Sequence, residues 1–236
     1  MIALEVPDLQ MQSVMLKPEI RRTKGMAAPP ADDLDAVVAL GSPMSVPLGP
    51  DKVAGDPELS AFLDSQKDKF AYYHVHLACT LRPAEDEPFV KALLKVKLAR
   101  SDAIPEPQPI AWSMIPRSIE DAVEVSKTVK FGGDLKLIGV VAGSVASHER
   151  TEKSKLTELF LAAYNEQRPD PFWEFVNTST GKIQGSYRFG LVVQTPIGAP
   201  VKGVVKLSAR VQRKHFGIIP YRTDFEGAPE ISFSLP

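Results

Sequence analysis

Apolar and polar positions alternate most clearly between residues 185 and 215. Tyr187, Phe189, Leu191 and Val193 form one register of a first run, and Val205, Leu207, Ala209 and Val211 one register of a second. Successive side chains of a strand point to opposite faces, so each run predicts a strand with a core face and an outward face. Pro196, Gly198 and Pro200 lie between them and supply turn chemistry, which predicts a hairpin. The outward register of the second run is Lys202, Val204, Lys206, Ser208 and Arg210, a basic face.

The same period recurs along the chain. Tyr73, Val75, Leu77, Cys79 and Leu81 alternate with Tyr72, His74, His76, Ala78 and Thr80, predicting a strand over 71–81. Over 89–100, Ala92, Leu94, Val96 and Leu98 share one face, while Lys91, Lys95 and Lys97 share the other with Leu93 and Ala99. The polar connection 82–88 makes these two strands a hairpin or Greek-key neighbours. Further strands are expected over 110–115, from Val123 to Phe131, over 135–147 and over 172–176, with a terminal strand at 230–235. Residues 156–164 fit helical and strand periods equally, and the strands on both sides favour strand. Asp56-Pro57-Glu58 has the form of a helix start, and Leu59, Phe62, Leu63 and Phe70 follow at helical spacing, predicting one short helix over about 57–69.

Residues 1–55 differ. Pro7, Pro18, Pro29, Pro30, Pro43, Pro47 and Pro50 interrupt short apolar clusters, and proline removes a backbone donor and fixes φ. This stretch reads as a proline-rich N-terminal arm or linker, partly extended, beside a single domain over 56–236. Ile2–Val6 and Ser13–Leu16 are candidate edge strands, and Asp32–Leu40 a turn or two of helix. The expected fold is mostly β: an antiparallel β-sandwich of about eight or nine strands.

Composition changes this picture little. The chain has 236 residues, 44% hydrophobic, with a net charge of -1, so no global field points to nucleic acid or a membrane surface. Locally, 31–65 is mostly acidic and 201–215 basic. A single cysteine excludes an intrachain disulfide and fits a reducing compartment. No basic, apolar leader opens the sequence and no apolar run reaches membrane-spanning length, so a cytoplasmic location without a membrane partner is the expectation.

Candidate chemistry is sparse. His74 and His76 fall on one face of a strand and offer two imidazoles to a metal such as zinc, though no third ligand stands beside them in sequence. The alternative is a pair of exposed or hydrogen-bonded histidines. Cys79 falls in the opposite register, which separates it from the histidines and predicts a buried, inert thiol. Asp170 and Glu174 flank a turn as surface carboxylates, and no nucleophile elbow or phosphate loop is present. No catalytic residue and no cofactor are therefore assigned.

The basic positions Lys91, Lys95, Lys97, Lys202, Lys206 and Arg210 form the leading binding face, if their strands share a sheet. Together with the arm, they predict a non-catalytic interaction module, an adaptor or assembly component, that binds another protein or a second copy of itself. Two alternatives are a hydrolase using His74 and His76, with or without metal, and a nucleic-acid-associated protein using the basic face.

Overall fold

Tyr72 to Leu81 alternate as the sequence predicts, and in a computed structural model they sit in the long central strand of one of two stacked antiparallel sheets. The structure describes residues 9–15, 37–53, 55–84, 87–102, 104, 107–120, 158–215, 219–224 and 230–236. The first sheet contains β1 (Met11–Met15), β2 (Val37–Gly41), β3 (Met44–Pro47), β4 (Phe70–Arg82), β6 (Ile110–Ile115) and β10 (Gly185–Pro196). The second contains β5 (Phe89–Arg100), β7 (Ser118–Ile119), β8 (Leu161–Tyr164), β9 (Phe172–Val176), β11 (Val201–His215), β12 (Ile219–Asp224) and β13 (Glu230–Leu235). This is the expected β-sandwich, with more strands than the eight or nine read from the sequence.

The additional strands are short, and three come from the stretch read as an arm. β1 pairs with β2, and β2 and β3 both pair with β4. The prolines there do not prevent this, because Pro43 lies between β2 and β3 and Pro47 ends β3. Val37–Gly41 is a strand rather than the helical turn expected for Asp32–Leu40, and its Val38 and Leu40 enter the main core. β1 covers most of the candidate edge strand at 13–16. The candidate strands at 2–6, at 123–131 and at 135–147 lie outside the described residues. Strand wins over helix at 156–164, where β8 occupies Leu161–Tyr164.

The expected hairpin over 185–215 does not form. β10 pairs with β4 and β6 in the first sheet, whereas β11 pairs with β5, β12 and β13 in the second. The connection at 197–200 is thus a corner between sheets, with Gly198 at φ +71, a conformation that glycine adopts without strain. β4 and β5 are likewise split between the sheets rather than paired.

The inner faces meet in one apolar core. The first sheet contributes Val75, Leu77, Leu81, Phe189, Leu191 and Val193, and the second Leu94, Val96, Leu98, Trp173, Phe175, Val205 and Leu207. Trp173 packs on Phe189 with ring centroids 4.8 Å apart, and its indole N–H donates to the Pro116 carbonyl at 2.9 Å. Burial of each such side chain contributes roughly 1.5–3 kcal/mol.

A second, smaller cluster lies on the outer face of the first sheet. Helix α1 (Pro57–Gln66) lays Leu59 and Leu63 over Tyr72 and Val192, with Phe62 and Trp112 beside them. The helix ends three residues before the expected 69, where Lys67–Lys69 turn into β4. Asp56 caps its start: the Leu59 amide donates to Asp56 Oδ1 at 3.1 Å, with Pro57 in the first turn. Asp56→Ala is expected to lower stability by about 1 kcal/mol in a urea titration, with Asp56→Asn nearly neutral. Equal losses from both substitutions would contradict a capping role.

Candidate functional site

The six basic residues singled out in the sequence come together on one surface. β5 and β11 are direct neighbours, and residues paired across an antiparallel ladder share a face. Lys95 stands opposite Lys206 and Lys91 opposite Arg210; Lys97 pairs with Val204 and Lys202 with Ala99. The opposite register, Leu94, Val96, Leu98, Val205 and Leu207, is buried in the core, so the cations lie on the outer face of the second sheet. Like charges directly opposite one another destabilise a strand pair.

Carboxylates are interspersed at the borders of this face. Glu174 on β9 forms an ion pair with Lys91, and Glu230 on β13 lies 4.0 Å from Lys206. The second pair is half-exposed and contributes little. Lys95, Lys97 and Lys202 are exposed and make no ion pair among the described residues. Phe172 stands opposite Lys95 in the ladder and stacks on Tyr164, with ring centroids 5.0 Å apart and planes 18° from parallel. This aromatic pair was not legible as part of the basic face, because the pairing of β9 with β5 is a long-range contact.

The two histidines face the other way, off the outer surface of the first sheet. Both are buried rather than exposed. His74 and His76 are each 4% exposed, their ring centroids are 4.2 Å apart, and neither ring nitrogen of His74 has a hydrogen-bond partner. Burial, and then the neighbouring His76, push the His74 pKa down to about 4; burial also lowers that of His76. Both rings are neutral at pH 7 and so present nitrogen lone pairs.

Gly190 makes room for this arrangement. A Cβ at that position would lie 2.8 Å from His74 Nε2, inside van der Waals contact. Across the other edge of β4, Met44 stands opposite His76 and Val46 opposite His74. Met11 pairs with Gly41, and its Sδ lies over that glycine beside Ala78, two residues along β4 from His76. Met44 thus shares a face with the imidazoles, a placement that only the ladder register decides, since 30 residues or more separate it from them in sequence.

Other candidates dissolve. Cys79 is fully buried on the core face, and burial pushes its thiol pKa up, as for an inert thiol. Asp170 is exposed and Glu174 is held by Lys91. Among the described residues, no group of three or more His, Cys, Asp or Glu side chains is placed to hold a metal ion. His148 lies outside the described residues. No helix among the described residues is long and apolar enough to cross a membrane.

The fold and this face define the chain as a two-sheet antiparallel β-sandwich with a cationic outer sheet. Comparison with protein-family models finds no match, and neither does comparison with curated proteins. Among solved structures, a pore-forming protein is similar over 95% of this chain and 89% of its own, at 10% identity and a TM-score of 0.30. A similarity of that size bears on neither mechanism nor function.

Proposed function

We propose that the chain is a non-catalytic interaction module that docks an acidic protein surface on the outer face of the second sheet. The observation that carries this reading is the direct opposition of Lys95 to Lys206, beside the exposed Lys97 and Lys202. Such a pairing costs stability in the isolated chain, and an anionic partner turns the repulsion into attraction. The carboxylates of Glu174 and Glu230 at the borders favour a protein of mixed charge over a uniformly anionic backbone, which they would repel. Strand addition along β1, an edge strand of the first sheet among the described residues, is a second contact for the same partner.

A nucleic-acid reading is favoured by one specific feature, the Tyr164–Phe172 stack beside Lys95, since bases stack on such aromatic pairs next to cations. Fluorescence anisotropy with a labelled peptide that carries both Glu and Lys and is net acidic, and with a labelled single-stranded oligonucleotide of equal net charge, separates the two. The peptide is expected to bind the wild-type chain more tightly, with affinity falling as salt rises. The double reversal Lys95→Glu/Lys206→Glu is expected to weaken binding at least about tenfold, through slower association and lost contacts. Tighter binding of the oligonucleotide, with loss on Phe172→Ala, would transfer the face to nucleic acid. Undiminished peptide binding by the double variant would overturn the reading.

A further inference from the structure

We infer that the His74–His76 pair is an acid-sensitive latch: protonation drives the rings out to solvent past β3 and unseats β3 from the edge of β4. Both imidazoles gather over one glycine. His76 stands directly across the ladder from Gly190, and a Cβ at 190 would fall 2.8 Å from His74 Nε2. The ring centroids lie 4.2 Å apart, each residue is 4% exposed, and neither His74 nitrogen has a hydrogen-bond partner. A neutral ring tolerates this seat. An imidazolium in it is a buried charge cut off from water, and two of them repel at short range.

No countercharge faces the rings among the described residues. The titratable and charged groups on the surrounding elements are few. On β4, Tyr72 Oη accepts from Gln194 Nε2 at 2.9 Å. On β10, Arg188 stands opposite Ala78 and is itself a cation. On α1, Glu58 and Asp64 are exposed, and Asp56 is taken up in the helix cap. β3 and β6 carry no charged residue. The way out lies past β3. Val192, on the β10 side, is 1% exposed, whereas Met44 and Val46, opposite His76 and His74, are 39% and 37% exposed. β3 has four residues and pairs only with β4 among the described strands, so few backbone bonds hold it, and such elements open first.

Linkage sets the sign. Burial, and then His76, hold His74 at about 4, below the roughly 6.5 of an exposed imidazole, and burial lowers His76 as well. The open form therefore binds more protons than the closed one, so β3 is secure above about pH 6.5 and loosens as pH falls towards about 4.

Hydrogen exchange of the full chain, read as amide protection factors at about pH 7.5 and about pH 5.5, tests the latch. His74 alone makes opening about tenfold more favourable across that interval, and His76 adds to it. Protection of the β3 amides is thus expected to fall at least about tenfold, with β5 unchanged; carboxylates stay ionised throughout. The double variant His74→Phe/His76→Phe keeps His148 and His215 and should abolish the fall, with far-UV circular dichroism confirming that it is folded. Imidazole nitrogen NMR of the wild-type chain provides a second reading that needs no variant, and His74 should stay neutral at about pH 5.5. The inference is overturned if β3 protection is equal at the two pH values, if β5 loses as much as β3, or if the fall survives in the double variant. A His74 ring that titrates near 6.5 in the wild-type chain overturns it equally.

Discussion

Trp173→Ala lowers the stability of the sandwich by about 3–5 kcal/mol, the range for removing a buried aromatic side chain. The indole is fully buried between the sheets, packs against Phe189 and donates its N–H to the Pro116 carbonyl. The alanine variant therefore loses apolar burial, leaves a cavity and orphans a carbonyl together. Trp173→Phe keeps a ring but not the donor and should fall between wild type and alanine. Urea unfolding followed by far-UV circular dichroism measures all three, with the midpoint falling and the slope unchanged if the native state is preserved. A loss under about 1 kcal/mol would mean that the two sheets do not close on this residue.

Gly203→Val is the second large effect, at about 1–3 kcal/mol of overpacking. Gly203 sits on the core face of β11 opposite Phe233, and a Cβ at 203 would fall within the Phe233 ring. The ring covers the space that the glycine leaves open, so valine forces it aside and loosens β13 along its whole register. Valine otherwise favours strands, so intrinsic propensity alone gives the opposite sign. A double-mutant cycle isolates the contact: in a Phe233→Ala background the cost of Gly203→Val should largely disappear. An undiminished cost in that background would place the clash elsewhere.

Much of the strand pattern was legible because alternation is local. β4, β5, β6, β9, β10, β11 and β13 fall where the apolar register puts them, and the Asp56-Pro57 start is the observed start of α1. β2 and β3 were not legible: four or five residues between prolines carry too little period, and their stability comes from hydrogen bonds to β4 rather than from propensity. The basic residues could be assigned to a face strand by strand, but their gathering depended on β5 and β11 being neighbours.

The histidine site divides in the same way. That His74 and His76 share a face follows from a spacing of two along a strand. Their burial, the lack of any partner for His74, the space over Gly190 and the placement of Met44 opposite His76 all depend on strands distant in the chain.

By itself, the sequence determined the β class, the face on which most side chains lie and the position of α1. Tertiary structure alone decided which strands pair, that the runs at 185–196 and 201–215 belong to different sheets, and which charges meet. The physical reason is that side-chain alternation is set within each strand by backbone geometry. Pairing is set between strands by burial of whole faces, and a proline- and glycine-bearing turn serves a hairpin and an inter-sheet corner equally well.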